Sequence, residues 1–314
     1  MSYVAEITAQ TAAQKAQSDY LLGSTPSAFS ALEIRLEDFV DLEQFPIHDL
    51  TSDKRHQLVK SCQQDLEKYG CAHVAQFIKP EAIANMLAEA KRLMHLARPA
   101  DSRINPYLTA EDTSLDEDDP RRFFETRTSS FINSDLLEEQ SILRKIYDSD
   151  VMVHFVAECL NQGPIYRWAE PLGRNPYSVM HNDDYFPWHF DGNDFTVSIL
   201  VQAAQEGGDF EYVPDIRSPN DECFDEVKKV LNEGDRSRVR VLPLTAGDLQ
   251  LFKGRYSMHR VTPAGGDEPR IIALPTYVAN PYLVNRPHHA KAFYGRAMDI
   301  HFDRDMARLD NLTD

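Results

Sequence analysis

Three side chains in this sequence have the types and spacing of a metal-binding set. They are His189, Asp191 two residues later, and His259, 68 residues beyond the aspartate. Two imidazoles and one carboxylate on one side of an octahedral metal form the facial triad that holds non-haem Fe(II), with positions left open for a cosubstrate and O₂. Residues i and i+2 of a β-strand face the same way. A strand through residues 188–191 would aim His189 and Asp191 at one ion, and His259 would close the set from a second strand. Eleven residues after His259, Arg270 opens the run Arg270-Ile271-Ile272-Ala273-Leu274. A guanidinium fork there suits bidentate capture of a carboxylate, such as the far end of 2-oxoglutarate while its keto-acid end chelates iron. An HxD pair alone is a weak signal, because it arises often by chance. With His259 and Arg270 it points to oxygenase chemistry.

These residues need strands, and the second half of the sequence supplies them. Short β-rich runs at 177–180, 195–202, 209–213, 239–244, 248–252 and 270–278 are separated by turn pairs such as Gly207-Gly208, Ala246-Gly247 and Gly265-Gly266. His259 belongs to a further strand, Met258-His259-Arg260-Val261. Residues 218–237 interrupt the series with helix-like acidic sequence. The first half reads as helical. Residues 5–20 form a candidate early helix. Ser52 and Asp53 are candidate caps for the stripe Leu58, Val59, Cys62, Leu66 and Tyr69, and Gly70 stops it. A strand is expected over 71–78. Pro80 then starts a helix bearing Ile83, Met86, Leu87, Ala90, Leu93 and Met94. Residues 98–121 read as an acidic solvated loop rather than a lid, and 135–161 as one or two helices. The expected class is α+β: a double-stranded β-helix (jelly-roll, cupin-like) core with N-terminal and flanking helices. The expected organisation is an N-terminal extension at 1–50 and one oxygenase domain at 51–314, with a helical part at 51–165, the β-helix at 166–280 and a C-terminal segment at 281–314.

Composition narrows the partners. The 314 residues are 42% hydrophobic, enough for a large core, and carry 33 Lys and Arg against 50 Asp and Glu, a formal charge of −17. Nucleic acid and anionic membrane would both repel such a chain. The four cysteines form no CxxC pair, which fits reduced thiols. The N-terminus lacks the basic start and apolar run of a signal peptide, and no window approaches the ~18 consecutive apolar residues of a membrane span. A cytoplasmic location is expected; the oligomeric state is left open.

The stretch from Tyr166 to Tyr277, with Glu170-Pro171, Trp188-His189-Phe190-Asp191, Gly207-Gly208-Asp209-Phe210-Glu211-Tyr212-Val213-Pro214, Gly247-Asp248, Phe252, Gly254, His259-Arg260-Val261, Pro263 and Arg270-Ile271, resembles the Fe(II)/2-oxoglutarate oxygenases. Within them it is most similar to the group of free-amino-acid halogenases and their hydroxylase relatives, over most of residues 55–300. The resemblance implies Fe(II), 2-oxoglutarate and O₂ as cofactor and cosubstrates, with succinate and CO₂ as coproducts. The halogenases replace the metal-binding carboxylate with a small residue, which opens a position for chloride. Asp191 stands in that place here, so oxygen chemistry is expected, hydroxylation first, with desaturation or ring closure open to the same oxidant.

The same resemblance implies a substrate pocket. Arg127 matches an arginine facing the amino-acid carboxylate, Glu170 a glutamate near the amine, and Thr276 a polar wall residue. Other positions depart from the lysine-using members. Phe186 replaces a polar ring, Leu274 an amide, and Phe293-Tyr294 a pair of indoles. A distal ammonium among Phe186, Leu274 and Phe293 would lack partners, at a cost of several kcal/mol on the order of an unsatisfied buried charge. The expected substrate is a small amino acid or related metabolite less polar than lysine. Asp183 and Asp184 could face its amine or make a turn. Arg217 is expected to fix its loop, and His288-His289 to lie in a solvated turn. Two rival readings remain: the same chemistry on a larger biosynthetic intermediate, and a non-catalytic β-helix binding protein.

Overall fold

The computed structural model describes residues 35–100 and 102–303, so the helix expected over 5–20 lies outside the described residues. From Leu36 onward the described residues form one compact unit. It begins before the expected boundary at residue 51, because Phe39, Val40, Phe45 and Ile47 are buried in its core.

Helix α1 (Asp53–Tyr69) starts where Ser52 accepts a hydrogen bond from the Arg55 N–H and ends at Gly70, whose φ of 69° is the left-handed stop that glycine takes without strain. Strand β1 (Cys71–Val74) follows and is shorter than the expected 71–78. The chain turns through Gln76 at φ 52°, and Pro80 then opens helix α2 (Pro80–Leu93). After β2 (Ser130–Ile132) come α3 (Ile142–Asp148) and α4 (Asp150–Cys159), capped by the Ser141 and Ser149 hydroxyls. Arg55 on α1 grips Glu158 on α4 with two bonds of 2.9 and 2.8 Å.

The strands that follow are β3 (Tyr177–Met180), β4 (Phe186–His189), β5 (Thr196–Gln202), β6 (Phe210–Val213), β7 (Arg240–Leu242), β8 (Leu249–Phe252), β9 (Met258–Val261) and β10 (Arg270–Ala273). They build two antiparallel sheets, ordered β1-β8-β5-β10-β3-β2 and β7-β6-β9-β4. From β3 to β6 each strand joins the opposite sheet from its predecessor, and the same alternation runs from β7 to β10. That winding is the double-stranded β-helix the sequence predicts. Helix α5 (Phe224–Leu231) is the insertion between β6 and β7.

The period of two sorts the six-stranded sheet into a helix-covered face and a cavity face. Val197, Ile199, Leu249, Leu251, Ile271 and Ala273 join the helices in the main core. Their neighbours Thr196, Ser198, Gln250, Phe252, Arg270 and Ile272 line a cavity between the sheets. Burial of the first set holds the second in register, since a slip of one residue would turn it out. The predicted strand over 270–278 is broken: β10 stops at Ala273, and Tyr277–Val278 pairs instead with Tyr166–Arg167. No helix among the described residues is long and apolar enough to cross a membrane.

Candidate metal centre and the cavity around it

His189 ends β4, and the pairing of β4 with β9 sets His259 directly across from it. A register shift in this pair places Phe186 against Val261, so Phe186 and His189, three residues apart, both reach the cavity. The two imidazole centroids are 4.1 Å apart. His189 Nδ1 lies 2.8 Å from the Pro187 carbonyl, and His259 Nδ1 3.0 Å from the Ser257 carbonyl. A carbonyl only accepts, so each Nδ1 carries a proton and each Nε2 keeps its lone pair for a ligand. Burial, and then the neighbouring His259, push the His189 ring down to about 3, so it is neutral, the form that binds a metal.

Asp191 reaches the same point by a different route from the one its spacing suggests. The strand ends at His189, and the following turn, not the pleat, carries the carboxylate inward. The Phe190 N–H donates to the Pro106 carbonyl at 2.8 Å, and the Asp191 N–H to the Gly254 carbonyl at 3.0 Å. Asp191 Oδ1 then lies 3.7 Å from His189 Nε2 and 3.5 Å from His259 Nε2. The Thr196 hydroxyl donates to Oδ2 at 2.5 Å. Burial pushes the carboxyl upward, but His259, His189 and Thr196 outweigh it and hold the group well below its ordinary value. Gly254 makes the room: a Cβ there would stand 1.8 Å from Asp191 Oδ2. The donor atoms of the three residues all lie within 4.8 Å of one another, a spread one cation can bridge. Two neutral nitrogens and one carboxylate oxygen with an open side suit a divalent first-row metal such as Fe(II).

The cavity in front of these ligands measures about 260 Å³. Arg270, paired with Met180 on β3, enters it from β10 and is 3% exposed. Burial lowers its guanidinium to about 10, which leaves it charged at neutral pH. It forms no ion pair with a described residue, and its Cδ would be 3.0 Å from a Cβ at Gly208. Phe186, Leu274, Thr276, Phe293 and Tyr294 also line the cavity. Phe186 stacks on His189 at 4.1 Å, and the Tyr294 hydroxyl occupies the space that a side chain at Gly173 would need.

Two residues placed in the pocket by resemblance are elsewhere. Arg127 is fully buried behind the wall, with its guanidinium 4.1 Å over Phe293, 5.3 Å over Phe186 and 5.4 Å over Phe131. Its Nε and Nη1 have no hydrogen-bond partner, and burial lowers it to about 10. Glu170 is also fully buried and away from the cavity. It accepts from His301 Nε2 at 3.0 and 2.9 Å, from the Leu172 N–H at 3.0 Å and from the Asn285 N–H at 3.1 Å. His301 belongs to helix α7 (Asp299–Asp303), too far along the chain for its partner to be foreseen.

Asp183 and Asp184 make a turn: Asp184 accepts from the His181 N–H at 2.8 Å, and Asp183 has φ 66°. Arg217 fixes its loop, donating to the Arg255 carbonyl and pairing with Glu222, with its guanidinium 3.8 Å over Phe190. The acidic 98–121 segment is pinned by Asp118 to Lys228 and Asn232 at the end of α5, and its Leu108 touches the cavity.

His288-His289 is not a solvated turn. It lies on helix α6 (Pro287–Tyr294), which forms the outer cavity wall together with residues 283–286. Arg286, His289 and Phe293 all line the cavity, and their spacing of three and four is that of one helix face. That pattern was legible after Pro287, a helix-starting residue. Trp168 is a further wall residue without a sequence signal.

The profile of the Halogenase D family matches residues 54–292, more than half of the chain. The chain belongs to the Halogenase D family. With its His-Asp-His set and its buried arginine, this family member is an enzyme of the Fe(II)- and 2-oxoglutarate-dependent oxygenase type. A search of curated proteins returned no match. Solved structures similar to it include a prolyl hydroxylase in complex with a hypoxia inducible factor peptide fragment from Trichoplax adhaerens. It is 13% identical, with a TM-score of 0.48, covering 72% of this chain and 90% of that one. AviO1 from Streptomyces viridochromogenes is 17% identical, with a TM-score of 0.47, over 71% and 94% of the two chains. The epimerase SnoN from nogalamycin biosynthesis matches with the same identity and TM-score, over 71% and 80%.

Proposed function

We propose that this protein oxidises an unactivated C–H bond of a small metabolite, an amino acid or a close relative less polar than lysine, with hydroxylation as the outcome. The observation that carries this reading is the complete ligand set, in which the Asp191 carboxylate lies between the two imidazoles with its backbone and both oxygens held. When bound, Fe(II) with 2-oxoglutarate and O₂ supplies the oxidant, and succinate and CO₂ leave as coproducts.

The chain's own residues do the positioning. His189 and His259 present Nε2 because their Nδ1 protons are committed to backbone carbonyls. Asp191 fills the place that a small residue would leave for a halide. Arg270 takes the distal carboxylate of 2-oxoglutarate, a charge-assisted fork in a dry site. Met180, Phe210, Phe252 and Val261 exclude water around it. Phe186, Leu274 and Phe293 offer the substrate an apolar surface, with Thr276 as a polar wall group and Tyr294 against Gly173. A cavity of about 260 Å³ lies below the ~300–1,000 Å³ common for ligand sites. That favours a metabolite of amino-acid size over a large biosynthetic scaffold.

The test is aerobic turnover with Fe(II), 2-oxoglutarate and excess chloride, read by mass spectrometry on a panel of small acids and amino acids. Succinate release with a product one oxygen heavier is the expected result. A chlorinated product from the unaltered protein would overturn the reading.

A further inference from the structure

Resting on the oxygenase reading above, we propose that the substrate is a small carboxylic acid whose α-nitrogen is absent or uncharged, such as a desamino or N-acyl acid, rather than a free amino acid.

The charges around the cavity carry this. Among the described residues Asp191 is the one acidic residue lining it, and that carboxylate is committed to the metal ligands and Thr196. The other ionisable side chains of basic type on the wall are Arg270, Arg286 and His289, beside the two imidazole ligands. An α-ammonium entering this space would give up its water and meet no uncommitted protein carboxylate among the described residues.

Glu170 would be the natural partner for such an ammonium, but its place is taken. Both carboxylate oxygens meet His301 Nε2, and two backbone N–H groups complete its shell. Glu170 and His301 are both fully buried as a pair, with nothing of Glu170 left to face a ligand. The chain thus answers the carboxylate from its own helix α7.

The aromatic surface offers a cation no alternative. Phe131, Phe186 and Phe293 form the kind of cage that holds an ammonium by cation–π attraction. Its interior already contains the Arg127 guanidinium, 4.1 Å from the Phe293 ring. Arg127 also has two nitrogens without partners, and no carboxylate bonds to it among the described residues. A second cation beside it is repelled, whereas a carboxylate is attracted. The pocket therefore rewards one negative charge on an apolar body and penalises a zwitterion.

Anaerobic isothermal titration calorimetry on the protein loaded with Fe(II) and 2-oxoglutarate, which occupies Arg270, tests this with three acids sharing one side chain: L-leucine, N-acetyl-L-leucine and 4-methylpentanoate. The series is repeated with phenylalanine and its two counterparts. The expected result is that at least one nitrogen-neutral member of a series binds at least about tenfold more tightly than the free amino acid, close to the 1.4 kcal/mol equivalent of a factor of ten. The same rank is expected in succinate release by the Fe(II)-loaded protein. Free amino acids that bind as tightly or more tightly would overturn the proposal. So would a Glu170→Gln protein that folds normally yet loses binding of a free amino acid. The visible band of the anaerobic Fe(II)·2-oxoglutarate complex separates this from the parent reading. If the band forms and no acid binds, the substrate class is wrong and the oxygenase stands. If it never forms, the oxygenase reading fails first.

Discussion

The inner and outer halves of the cavity are built by different means. On the inner half, every reactive side chain sits on or beside a strand and is oriented by the backbone. Carbonyls two residues upstream turn His189 and His259, the Gly254 carbonyl anchors Asp191, and the register of β10 with β3 aims Arg270. On the outer half, the wall is helix α6 and the segment before it, fastened by one buried side-chain pair, Glu170 with His301, and by the Asn285 N–H on the same carboxylate. The inner half thus sets the type of reaction with groups that have little freedom to vary. On the proposed function, the outer half is the part that meets the substrate.

Breaking the inner half should cost the most. His259→Ala removes one of three ligands and leaves the Ser257 carbonyl without its imidazole donor. Turnover should fall by at least about 10³-fold, the scale of losing a group essential to metal-assisted chemistry, and the charge-transfer band should disappear. Circular dichroism should remain unchanged, because the double sheet does not depend on that ring. Breaking the outer half should leave the metal and cost stability instead. His301→Ala strands a buried carboxylate that keeps only its two backbone donors. Loss of one partner of a buried pair predicts destabilisation of about 3 kcal/mol, read as a lower denaturant midpoint. The band with 2-oxoglutarate should still form. If His301→Ala abolishes that band, the two halves are not independent.

The same division explains what was legible in the sequence. Alternation along β5, β8 and β10 separates core from cavity residues, so Arg270 could be placed from its strand alone. The pairing of His189 with His259 could be anticipated only as two strands meeting, because the shift that lets Phe186 face inward is a property of the pair. Asp191 was found for an incomplete reason: the i,i+2 rule assumes a strand that here stops at His189, and hydrogen bonds to Pro106 and Gly254 from distant segments replace it. Glu170 was misplaced because its partner lies 131 residues away, and local sequence cannot say which of two cations a buried carboxylate will meet. Arg127 was expected in the pocket, but Phe131, Phe186 and Phe293, three rings from separate elements, cover it. Side chains aimed by their own strand were readable; those fixed by tertiary partners were not.

Smaller effects are expected within the inner half. Arg270→Lys keeps the charge and loses the fork. The Michaelis constant for 2-oxoglutarate should rise about tenfold to a hundredfold, in line with the loss of one charge-assisted bidentate bond, while kcat changes little. An unchanged constant would remove Arg270 from the cosubstrate site. The smallest effect is expected at Thr196. Its hydroxyl is the one side-chain donor to Asp191 Oδ2 among the described residues, so Thr196→Val keeps the shape and removes a single bond. Asp191 would retain its two imidazole neighbours and its backbone anchor. A bond to a charged acceptor contributes about 1.5–3 kcal/mol when lost outright, but water or the metal can take up the freed oxygen. Weakening of iron binding by about tenfold, measured by competition with a chelator, is therefore expected, with turnover restored by excess Fe(II). Turnover that stays low at saturating iron would mean that Thr196 orients the carboxylate during the reaction as well as beforehand. The inner half would then depend on a side-chain contact of the kind that otherwise governs only the outer wall.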